Sequence, residues 1–335
     1  MSNYRIAING FGRIGRIFLR RVLEKNNVDV VAVNDLTDVE TLAHLFKYDS
    51  IHRKFSGEVH IEGGDLIVNG KRIKVFAEKD PANLPWKDMN IDLVLESSGH
   101  FLDMKSAMLH VASGAKKVLL SAPPKSPDIK TIVLGVNDAM LLKEDIIISN
   151  ASCTTNCAGP MIKVLHEQFG IDHAYITTIH SYTSDQRLHD APHKDLRRAR
   201  AAALNMVPTS TGAAQAIAAT FPELKGRIGG ASIRVPVADG SITDITCTLL
   251  KPATIESINE AFKQASETYL KNILSYTTEP LVSIDIVGDP HSCIFDSELT
   301  AVNGNMIKIM GWYDNEFGYS SRLADLVVKM KEIGN

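Results

Sequence analysis

The order of apolar and polar residues in the first half of the chain predicts strands that alternate with helices. Residues 4–9 alternate apolar and polar side chains as a strand does, and residues 13–26 space their apolar side chains as an amphipathic helix does. Residues 28–35 form a β-branched run, which is typical of a strand buried on both faces. A capping-box pattern at residues 37–40 opens another helix. This alternation predicts an α/β domain with a doubly wound, mostly parallel sheet.

The same pattern continues through the rest of the first half. Residues 65–76 hold two strand-like runs around Asn69-Gly70, a pair of residues that signals a hairpin. The further predicted strands are residues 91–97, 117–122 and 145–150, with a helix over residues 102–115.

After Gly170 the pattern changes to long β-like runs, and Asn303-Gly304 marks a second hairpin. Helical segments lie between these runs, so we expect an α+β domain with an antiparallel sheet and helices on one side. The predicted domains are residues 1–151 and 152–316, with a last helix over 317–335 that packs back on the first domain. The predicted strands of the second domain are residues 173–183, 231–250, 281–287 and 305–314, and its predicted helices are 209–221 and 255–270.

Composition narrows the class of protein. The chain has 335 residues, 44% hydrophobic and 22% charged, which is ordinary for a globular protein of two domains. A net charge of −3 gives no general attraction to nucleic acid or anionic membrane. Four cysteines are too few for a disulfide scaffold, and the chain has neither a secretory leader pattern nor an apolar run of membrane length. We therefore expect a cytoplasmic protein with no membrane role.

A glycine-rich loop predicts a dinucleotide site. Gly10, Gly12 and Gly15 have the G-x-G-x-x-G spacing, and they follow a predicted strand and open a predicted helix. This spacing permits a tight turn, lets the backbone approach a pyrophosphate and directs the helix N-terminus at the anion. Asp35 ends the next strand twenty positions after Gly15, where a carboxylate would bind ribose hydroxyls. A carboxylate there repels the 2′-phosphate of NADP, so NAD is favoured.

The stretch SNASCTTNCAG, residues 149–159, holds two cysteines near a predicted strand-to-helix junction. A helix N-terminus lowers a thiol pKa and supplies N–H groups for an oxyanion, which favours Cys153 as a nucleophile. Pro160 requires either a late helix start or a kink. The stretch alone favours a helix cap with two small core cysteines over a nucleophile. A metal corner lacks partner ligands with suitable spacing, so no metal site is predicted, and helical geometry opposes a permanent disulfide.

A nucleophilic cysteine usually needs a base. His180 is the best candidate among 11 histidines because it ends a predicted strand and enters the polar loop SYTSDQRL. His44, His52 and His110 have no such setting.

Several longer motifs together resemble the phosphorylating glyceraldehyde-3-phosphate dehydrogenase family. They are INGFGRIGR, VAVND, SNASCTTNC, HSYTSDQ, PHKDLRRARAAA, PTSTGAA, RVPV and WYDNEFGYS, and they occur in the family's order from Ile8 to Ser320. The resemblance implies a Rossmann domain that binds NAD, a catalytic domain and a homotetramer.

The resemblance also implies the chemistry. Cys153 matches the family nucleophile and His180 the residue that activates it. The implied reaction is the oxidation of glyceraldehyde 3-phosphate to 1,3-bisphosphoglycerate through a hemithioacetal and a thioester, which inorganic phosphate then attacks. The implied cofactor residues are Gly10, Phe11, Gly12, Arg13, Ile14, Asp35, Lys79, Ser121 and Asn315. The implied phosphate residues are Thr183, Asp185 and Arg234 for the substrate, and Ser152, Thr154, Thr211 and Gly212, with assistance from Arg197, for inorganic phosphate.

Other interpretations stay open at this point. Pro192 fits members that prefer NAD, whereas Ala191 resembles relatives that use NADP. Erythrose-4-phosphate dehydrogenase is a related alternative, although PTSTGAA and PHKDLRRARAAA favour the first family. The basic run DLRRARAAA invites a nucleic-acid interpretation, but one short basic run in an acidic protein is usually paired or solvated. We therefore expect no primary nucleic-acid role, and a secondary RNA- or protein-binding role is an alternative of another class.

A few residues depart from the family pattern. Arg53 stands where glycine is usual and Asp138 where histidine is usual, and His291 and Cys293 lie in an otherwise familiar run. These departures bear on local loop conformation and subunit contacts rather than on the predicted catalytic residues.

Overall fold

The structure is a computed structural model that describes residues 3–334 in two compact units. The first unit comprises residues 3–132, 139–151 and 323–334, and the second comprises 133–138 and 152–322. The predicted ranges thus differ from the observed units at 133–138 and 317–322, which belong to the second unit. Residues 1, 2 and 335 of the predicted ranges lie outside the described residues.

The elements follow in chain order. Those up to residue 151 are β1 (Tyr4–Asn9), α1 (Arg13–Val22), β2 (Val28–Asn34), α2 (Val39–Lys47), β3 (Val59–Glu62), β4 (Asp65–Val68), β5 (Lys71–Phe76), β6 (Leu93–Glu96), α3 (Met104–Ala112), β7 (Lys117–Leu120), β8 (Lys130–Thr131) and β9 (Ile147–Ser149). Those after it are α4 (Cys153–Phe169), β10 (Ile171–Ser181), β11 (Val207–Thr209), α5 (Ala213–Thr220), β12 (Ile228–Val235), β13 (Ser241–Leu249), α6 (Ile255–Glu267), β14 (Leu274–Thr277), β15 (Cys293–Asn303), β16 (Met306–Tyr313) and α7 (Phe317–Gly334).

The first unit is built on a doubly wound sheet. Within the described residues its strand order is β3-β4-β5-β2-β1-β6-β7-β9-β8, and all neighbours from β5 to β8 are parallel. The chain leaves β1 toward one edge and later returns to β6 on the other side of β1. The carboxyl ends of β1 and β6 therefore flank the point where the winding reverses, which is where such sheets bind ligands. This topology confirms the predicted α/β fold class.

The two predicted hairpins are present. Asn69 and Gly70 have φ values of 49° and 75° and connect the antiparallel strands β4 and β5 by a two-residue loop. Gly304, with a φ of 61°, lies in the turn between β15 and β16.

The second unit has a mixed sheet rather than a purely antiparallel one. Its strand order in the described chain is β11-β12-β10-β13-β16-β15-β14. The pairs β10–β12 and β14–β15 are parallel, and the other neighbouring pairs are antiparallel. Side chains of α4, α5 and α6, such as Ile162, Ile217 and Phe262, share one buried core with the sheet. Along β10 the other face is more open, since His173 and Tyr175 alternate with the buried Ala174 and Ile176.

One predicted strand is wrong. Residues 281–287 form turns instead of a strand. The carboxylate of Asp285 accepts a hydrogen bond from the Val282 N–H at 2.8 Å, and the Asp289 N–H donates to Ile286 O at 3.0 Å. Such local bonds between side chain and backbone compete with strand pairing.

The residues of the last helix that belong to the first unit are anchored there. Leu323, Leu326 and Val327 are fully buried. Lys25 forms an ion pair with Asp325 at 2.5 Å, and Lys331 Nζ donates to a backbone carbonyl, that of residue 27, at 3.0 Å. No helix within residues 3–334 combines the length and apolar character needed to cross a membrane.

The departures from the family pattern have local structural roles. Arg53 adopts a φ of 65°, the left-handed conformation for which glycine is favoured. Asp138 accepts a hydrogen bond from the Gly135 N–H at 2.9 Å and so closes a turn. His291 pairs with Asp289 at 2.8 Å.

We predict that Arg53→Gly stabilises the protein. The side chain is exposed, and the backbone carbonyl that accepts a bond from Arg20 would remain. Relief of the left-handed strain, less the added chain entropy of glycine, should raise the free energy of unfolding by roughly 0.5–1 kcal/mol. Urea unfolding measures this, with Lys54→Gly as a control that should destabilise. An unchanged or lower stability of the Arg53 variant would contradict the interpretation.

Candidate active site and cofactor cleft

The glycine loop after β1 has the conformation that its sequence predicts. Gly10 has a φ of +91°, and a Cβ there would lie 2.5 Å from the Ser98 nitrogen. A Cβ on Gly15 would lie 2.4 Å from the Gly10 oxygen. A Cβ on Gly12, in contrast, would meet nothing within 4 Å, and no side chain caps the start of α1. Gly10 and Gly15 exclude side chains for packing reasons. Gly12 leaves the helix N-terminus open to an anion.

A cleft of about 610 Å³ opens at this loop. Asp35, at its wall, accepts hydrogen bonds from the Phe11 N–H at 2.8 Å and the Thr37 N–H at 3.0 Å. These bonds fix the carboxylate while each oxygen retains acceptor capacity for a ribose hydroxyl. Three features fit a dinucleotide: the uncrowded Gly12, the start of α1 without a side-chain cap, and the fixed carboxylate of Asp35. The cleft is lined by Asn9, Gly10, Gly12, Asn34, Asp35, Leu36, Glu78, Lys79, Ser97, Ser98, His100 and Phe101.

Three other predicted cofactor residues of the loop use their side chains elsewhere. Phe11 is buried and stacks on Phe46 with ring centroids 5.9 Å apart. Arg13 forms an ion pair with Asp49 at 2.6 Å, and Ile14 is half-buried. The Phe11 N–H is also engaged, by Asp35, so a pyrophosphate would meet the start of α1 rather than these groups.

Lys79 and Ser121 complete the predicted cofactor residues of the first unit. Lys79 is exposed and lines the cleft. Ser121 follows β7 and donates its N–H to Glu96 O at 2.9 Å. Ala191 and Pro192 lie on an exposed loop of the second unit.

In the second unit, Cys153 is the first residue of helix α4. Ser152 caps the helix, because its Oγ accepts a hydrogen bond from the Thr155 N–H at 3.1 Å. The helix starts at Cys153, includes Pro160 and ends at Phe169, and the following cap residue Gly170 has a φ of 70°. The late start that Pro160 raised as an alternative is therefore wrong. The second cysteine of this stretch, Cys157, has no exposed surface and is part of the core.

The predicted nucleophile and its predicted base are in contact. Cys153 Sγ lies 3.4 Å from Nε2 of His180, the residue before the last of β10. The other ring nitrogen, Nδ1, lies 2.7 Å from Ser181 O, which can only accept. The bond to Ser181 O favours the ring proton on Nδ1, which leaves the Nε2 lone pair facing the thiol, whereas the neighbouring Arg234 Nη1, which can only donate, favours the other tautomer. Arg234 Nη1 also donates to Ser181 O, at 3.0 Å, and lies 2.9 Å from Nδ1.

The buried hydroxyl of Tyr313 holds this pair together. Its Oη lies 2.9 Å from Thr154 Oγ1 at the start of α4 and 2.7 Å from Thr178 Oγ1 on β10. The Tyr313 ring also meets the His180 ring edge to face at 5.9 Å. Because Thr154 follows Cys153 and Thr178 precedes His180 by two residues, the tyrosine sets the separation of the two reactive groups.

Burial and charge keep both groups neutral. Burial, and then the nearby Arg234 charge, lowers the pKa of His180 to about 3. Burial raises the pKa of Cys153 to about 11, although Arg234 and the Thr154 N–H act in the opposite direction. The pair therefore rests as a thiol beside a neutral imidazole. Desolvation thus opposes the thiolate that the helix N-terminus favours at this position.

Cationic and hydroxyl side chains surround His180. Thr183 Oγ1 accepts a hydrogen bond from Arg234 Nη1 at 3.4 Å. Arg198 bonds to Asp185, and the charge of Arg198 contributes to the low pKa of His180. The structure thus groups the predicted residues Thr183, Asp185 and Arg234 with the base.

The predicted Arg197 lies apart from this group, and its neighbour Arg198, which the sequence did not single out, bonds to Asp185. Arg197 is exposed, its N–H donates to Asp195 at 2.9 Å, and its side chain lines a separate groove with Thr177 and Ser232. Nothing in the run DLRRARAAA distinguishes the two arginines, because only the course of the loop decides which one turns toward Asp185.

The predicted residues for inorganic phosphate lie at two helix N-termini. Thr211 Oγ1 accepts a hydrogen bond from the Ala213 N–H at 3.2 Å, and a Cβ on Gly212 would meet open space. The Ala213 N–H is thus engaged, but no side chain of Gly212 caps α5, so the rest of its first turn faces open space where an anion could bind. At α4 the hydroxyls are engaged, Ser152 Oγ with Thr155 Oγ1 at 2.8 Å and Thr154 Oγ1 with Tyr313, so Thr154 offers its N–H rather than its hydroxyl.

Asn315, the remaining predicted cofactor residue, has a defined amide orientation. Its Oδ1 accepts hydrogen bonds from Ser181 Oγ and Ser241 Oγ, both at 2.7 Å. Ser241 Oγ already accepts the Ser181 N–H at 3.1 Å, so its proton needs an acceptor, which Oδ1 supplies. Within residues 3–334 no group bonds to Nδ2, so Asn315 presents a donor to a ligand carbonyl.

These features define the class of protein. A Rossmann domain with a dinucleotide cleft accompanies a domain with a cysteine–histidine pair. This combination is typical of a dinucleotide-dependent dehydrogenase that works through a covalent thiol intermediate.

Comparison with known proteins identifies the family. Two family models match, glyceraldehyde 3-phosphate dehydrogenase NAD binding domain over residues 4–104 and the C-terminal domain of the same family over 152–315. Glyceraldehyde-3-phosphate dehydrogenase of Mycobacterium avium is 56% identical over 330 residues, 96% of this chain and 97% of the relative. That of Thermotoga maritima is 55% identical over 332 residues, 97% of this chain and 99% of the relative. Glyceraldehyde-3-phosphate dehydrogenase 1 of Streptomyces avermitilis is 54% identical over 326 residues, 97% of each chain.

The chain belongs to the glyceraldehyde 3-phosphate dehydrogenase family. It is an oxidoreductase with the family's NAD-binding domain, which confirms both the resemblance and NAD as the cofactor.

We predict that alkylation of Cys153 by iodoacetamide follows the thiol pKa. With a pKa of about 11, the rate should rise about tenfold per pH unit between pH 7 and 9, because the thiolate fraction does. Arg234→Met removes a charge that lowers this pKa, so alkylation at pH 8 should slow about tenfold. Arg197→Met, which alters an exposed arginine, should not change it. A rate that is constant above pH 7 would show a standing thiolate and contradict the account.

Proposed function

We propose that this protein catalyses the NAD-dependent, phosphorylating oxidation of glyceraldehyde 3-phosphate to 1,3-bisphosphoglycerate. The observation that carries the proposal is the 3.4 Å contact of Cys153 Sγ with His180 Nε2, with Arg234 at the same ring. A thiol beside a neutral base suits addition to an aldehyde, and an adjacent guanidinium suits a phosphorylated substrate.

The first step is the formation of a hemithioacetal. Cys153 Sγ bonds to the aldehyde carbon while its proton passes to His180 Nε2 and from there to the carbonyl oxygen, which becomes a hydroxyl. His180 is neutral in the free protein and has a lone pair for the proton, although its lowered pKa of about 3 makes it a weak base there. A substrate phosphate at Arg234 would offset the charge that opposes protonation, so the histidine becomes a better base when substrate is bound.

The second step is oxidation to a thioester. His180 Nε2 removes the hydroxyl proton as the carbon is oxidised. NAD, when bound, accepts the hydride. The cysteine keeps the acyl group in an activated form, since a thioester is more reactive toward nucleophiles than an oxygen ester.

The third step transfers the acyl group to inorganic phosphate. A phosphate oxygen attacks the thioester carbon, the carbon–sulfur bond breaks, and the leaving thiolate recovers the proton from His180. The product is an acyl phosphate and the thiol is restored.

We propose that the two phosphates bind at two distinct groups of donors. Thr183 and Arg234 hold the substrate phosphate, and Asp185 acts indirectly by orienting Arg198, because a carboxylate repels phosphate. Inorganic phosphate binds at the N-terminus of α5 and near the start of α4. Its predicted residues are Ser152, Thr154, Thr211 and Gly212, with Arg198 rather than Arg197 as the assisting arginine.

We also propose that the protein is a homotetramer in the cytoplasm. The loop of residues 188–206 exposes large apolar side chains, which suggests a surface covered by another subunit. Leu188 and Met206 are 75% exposed, and Leu196 and Leu204 are 80% exposed. The four cysteines are free, which fits a reducing compartment. Native mass spectrometry tests the assembly, with four times the 36.7 kDa chain mass as the expected result.

We predict that NADH forms only when glyceraldehyde 3-phosphate, NAD and inorganic phosphate or arsenate are all present. Absorbance of NADH measures this, with NADP and erythrose 4-phosphate as comparison substrates. The carboxylate of Asp35 should make NADP the poorer cofactor. Equal turnover without phosphate or arsenate would refute a phosphorylating enzyme, and faster turnover of erythrose 4-phosphate would favour the related activity.

We predict unequal effects of the two neighbouring cysteines. Cys153→Ser should lower kcat at least about 1,000-fold, because a serine hydroxyl is a far weaker nucleophile beside this base. Cys157→Ser should retain most activity, since that sulfur is buried in the core and donates to Gly311 O at 3.6 Å rather than facing His180. Steady-state kinetics decide, and the reverse ranking would exclude Cys153 as the nucleophile.

A further inference from the structure

A buried network of polar side chains lies directly behind the cofactor cleft. Glu96, the last residue of β6, has no exposed surface. Its Oε1 accepts hydrogen bonds from the Ser98 N–H at 2.8 Å and from Ser98 Oγ at 2.5 Å. Its Oε2 accepts one from Asn9 Nδ2 at 2.6 Å and lies 3.1 Å from His110 Nε2. In the described chain no lysine or arginine bonds to this carboxylate.

The proton position on His110 is fixed by a tryptophan. His110 is fully buried on α3, and its Nδ1 lies 3.1 Å from Trp86 Nε1. An indole nitrogen can only donate, so Nδ1 accepts and carries no proton. The ring proton is therefore on Nε2, where it is donated to Glu96. The histidine is neutral, and the pair is a hydrogen bond to a carboxylate rather than an ion pair.

Two asparagines extend the network to the other wall of the cleft. The Glu78 N–H donates to Asn34 Oδ1 at 2.8 Å, and Asn34 Nδ2 donates to Glu78 O at 2.8 Å. These backbone groups fix the orientation of the Asn34 amide. Asn34 Nδ2 also donates to Asn9 Oδ1 at 2.7 Å, which leaves Asn9 Nδ2 to donate to Glu96. Every partner of the Glu96 carboxylate is consequently a donor.

The network holds loops that line the cleft. A Cβ on Gly10 would lie 2.5 Å from the Ser98 backbone nitrogen, so the two loops are in close contact. Ser97 Oγ also donates a hydrogen bond to Gly10 O at 2.7 Å. A buried carboxylate without a cation is costly unless it is fully hydrogen-bonded, and an apolar pair would fill the same space at less cost. The charge of the Glu96 carboxylate is thus better explained by its effect on these loops than by the stability of the core. The network residues Asn9, Asn34, Glu78 and Ser98 all line the cleft.

We propose that Glu96 and His110 are positioning residues for the cofactor. With the proton held on His110 Nε2 by Trp86, the Glu96 carboxylate keeps Ser98 and Asn9 in the arrangement that receives the dinucleotide. The proposal rests on the binding of NAD in this cleft. It assigns a role to His110, a residue that the sequence analysis set aside.

Glu96→Gln tests the proposal with little change of shape. The new amide has one acceptor atom and one donor atom, so its NH2 group must face a group that can only donate. The Ser98 and Asn9 loops should shift, and the Kd for NAD should rise about tenfold, the effect of losing a hydrogen bond to a charged group. Calorimetry on the full-length protein measures the Kd, and kinetics should show a higher KM for NAD with kcat changed less than about twofold.

Asp65→Asn is the matched control. Asp65 is another buried carboxylate of the first unit, it bonds to Arg72 and Lys74, and it does not line the cleft. This variant should lose stability, as followed by thermal unfolding, and bind NAD like the wild type. If Glu96→Gln binds NAD normally, or if Asp65→Asn weakens binding equally, the positioning role is refuted. Failure of the wild type to bind NAD would instead refute the proposed function.

A second background tests the role of the proton. Trp86→Phe removes the donor that fixes the His110 tautomer, so Nε2 becomes free to accept a hydrogen bond from an amide at position 96. Glu96→Gln should therefore weaken NAD binding less in the Trp86→Phe background than in the wild type, by about threefold or more. Equal losses in the two backgrounds would show that the tautomer has no part in positioning the cofactor.

Discussion

The separation of Cys153 and His180 depends on one buried hydroxyl. Tyr313 Oη bonds to Thr154 at the start of α4 and to Thr178 on β10, and so ties the helix that carries the thiol to the strand that carries the base. Neither element could set this distance alone. The strand fixes the imidazole through the pairing of β10 with β12 and β13, and the helix start is fixed by the Ser152 cap. The tyrosine joins these two local constraints into a 3.4 Å contact.

Burial then decides the charge state of the pair. A thiolate and an imidazolium would both be poorly solvated here, and Arg234 further opposes a positive charge on His180. The neutral pair needs no counter-ion and can exchange one proton as bonds form and break. In the proposed reaction the same guanidinium that keeps the histidine neutral binds a phosphate, so substrate binding and base strength would be linked through one side chain.

The two units use buried polar groups in a similar way. In the second unit, Ser181 and Ser241 fix the orientation of the Asn315 amide. In the first unit, Trp86 fixes the ring proton of His110 on the nitrogen that faces Glu96. In each case a group that can only donate, a backbone N–H or an indole N–H, determines the orientation of a group that can both donate and accept. The protein thereby presents donors and acceptors of defined orientation to its ligands, and the protons of the network stay on fixed atoms.

Much of the fold could be predicted from the sequence because its signals are local. The glycine loop, both hairpins and the helix after Cys153 follow from backbone conformations that a few residues impose. The parallel pairs β10–β12 and β14–β15 could not be predicted, because they join segments distant along the chain. The turns at 281–287 resemble a strand in composition, and only the bond from Val282 to Asp285 shows otherwise.

For the site, the residue types were predictable and their environments were not. Cys153, His180 and Arg234 stand in recognisable motifs, whereas the choice between Arg197 and Arg198 depends on how a loop turns. The thiolate that the helix start favours is opposed by desolvation, which is a property of the folded surroundings and not of the helix start. His110 gave no signal, since its partners Trp86 and Glu96 are brought to it only by the fold.

The most direct test of the account is to trap the covalent intermediate. The full-length protein would be incubated with NAD and glyceraldehyde 3-phosphate in the absence of phosphate and arsenate, quenched in acid, digested and examined by mass spectrometry. The account predicts a phosphoglyceroyl group on Cys153 that disappears when inorganic phosphate is added before the quench. A group on Cys157, or NADH formation with no acylated cysteine, would contradict it.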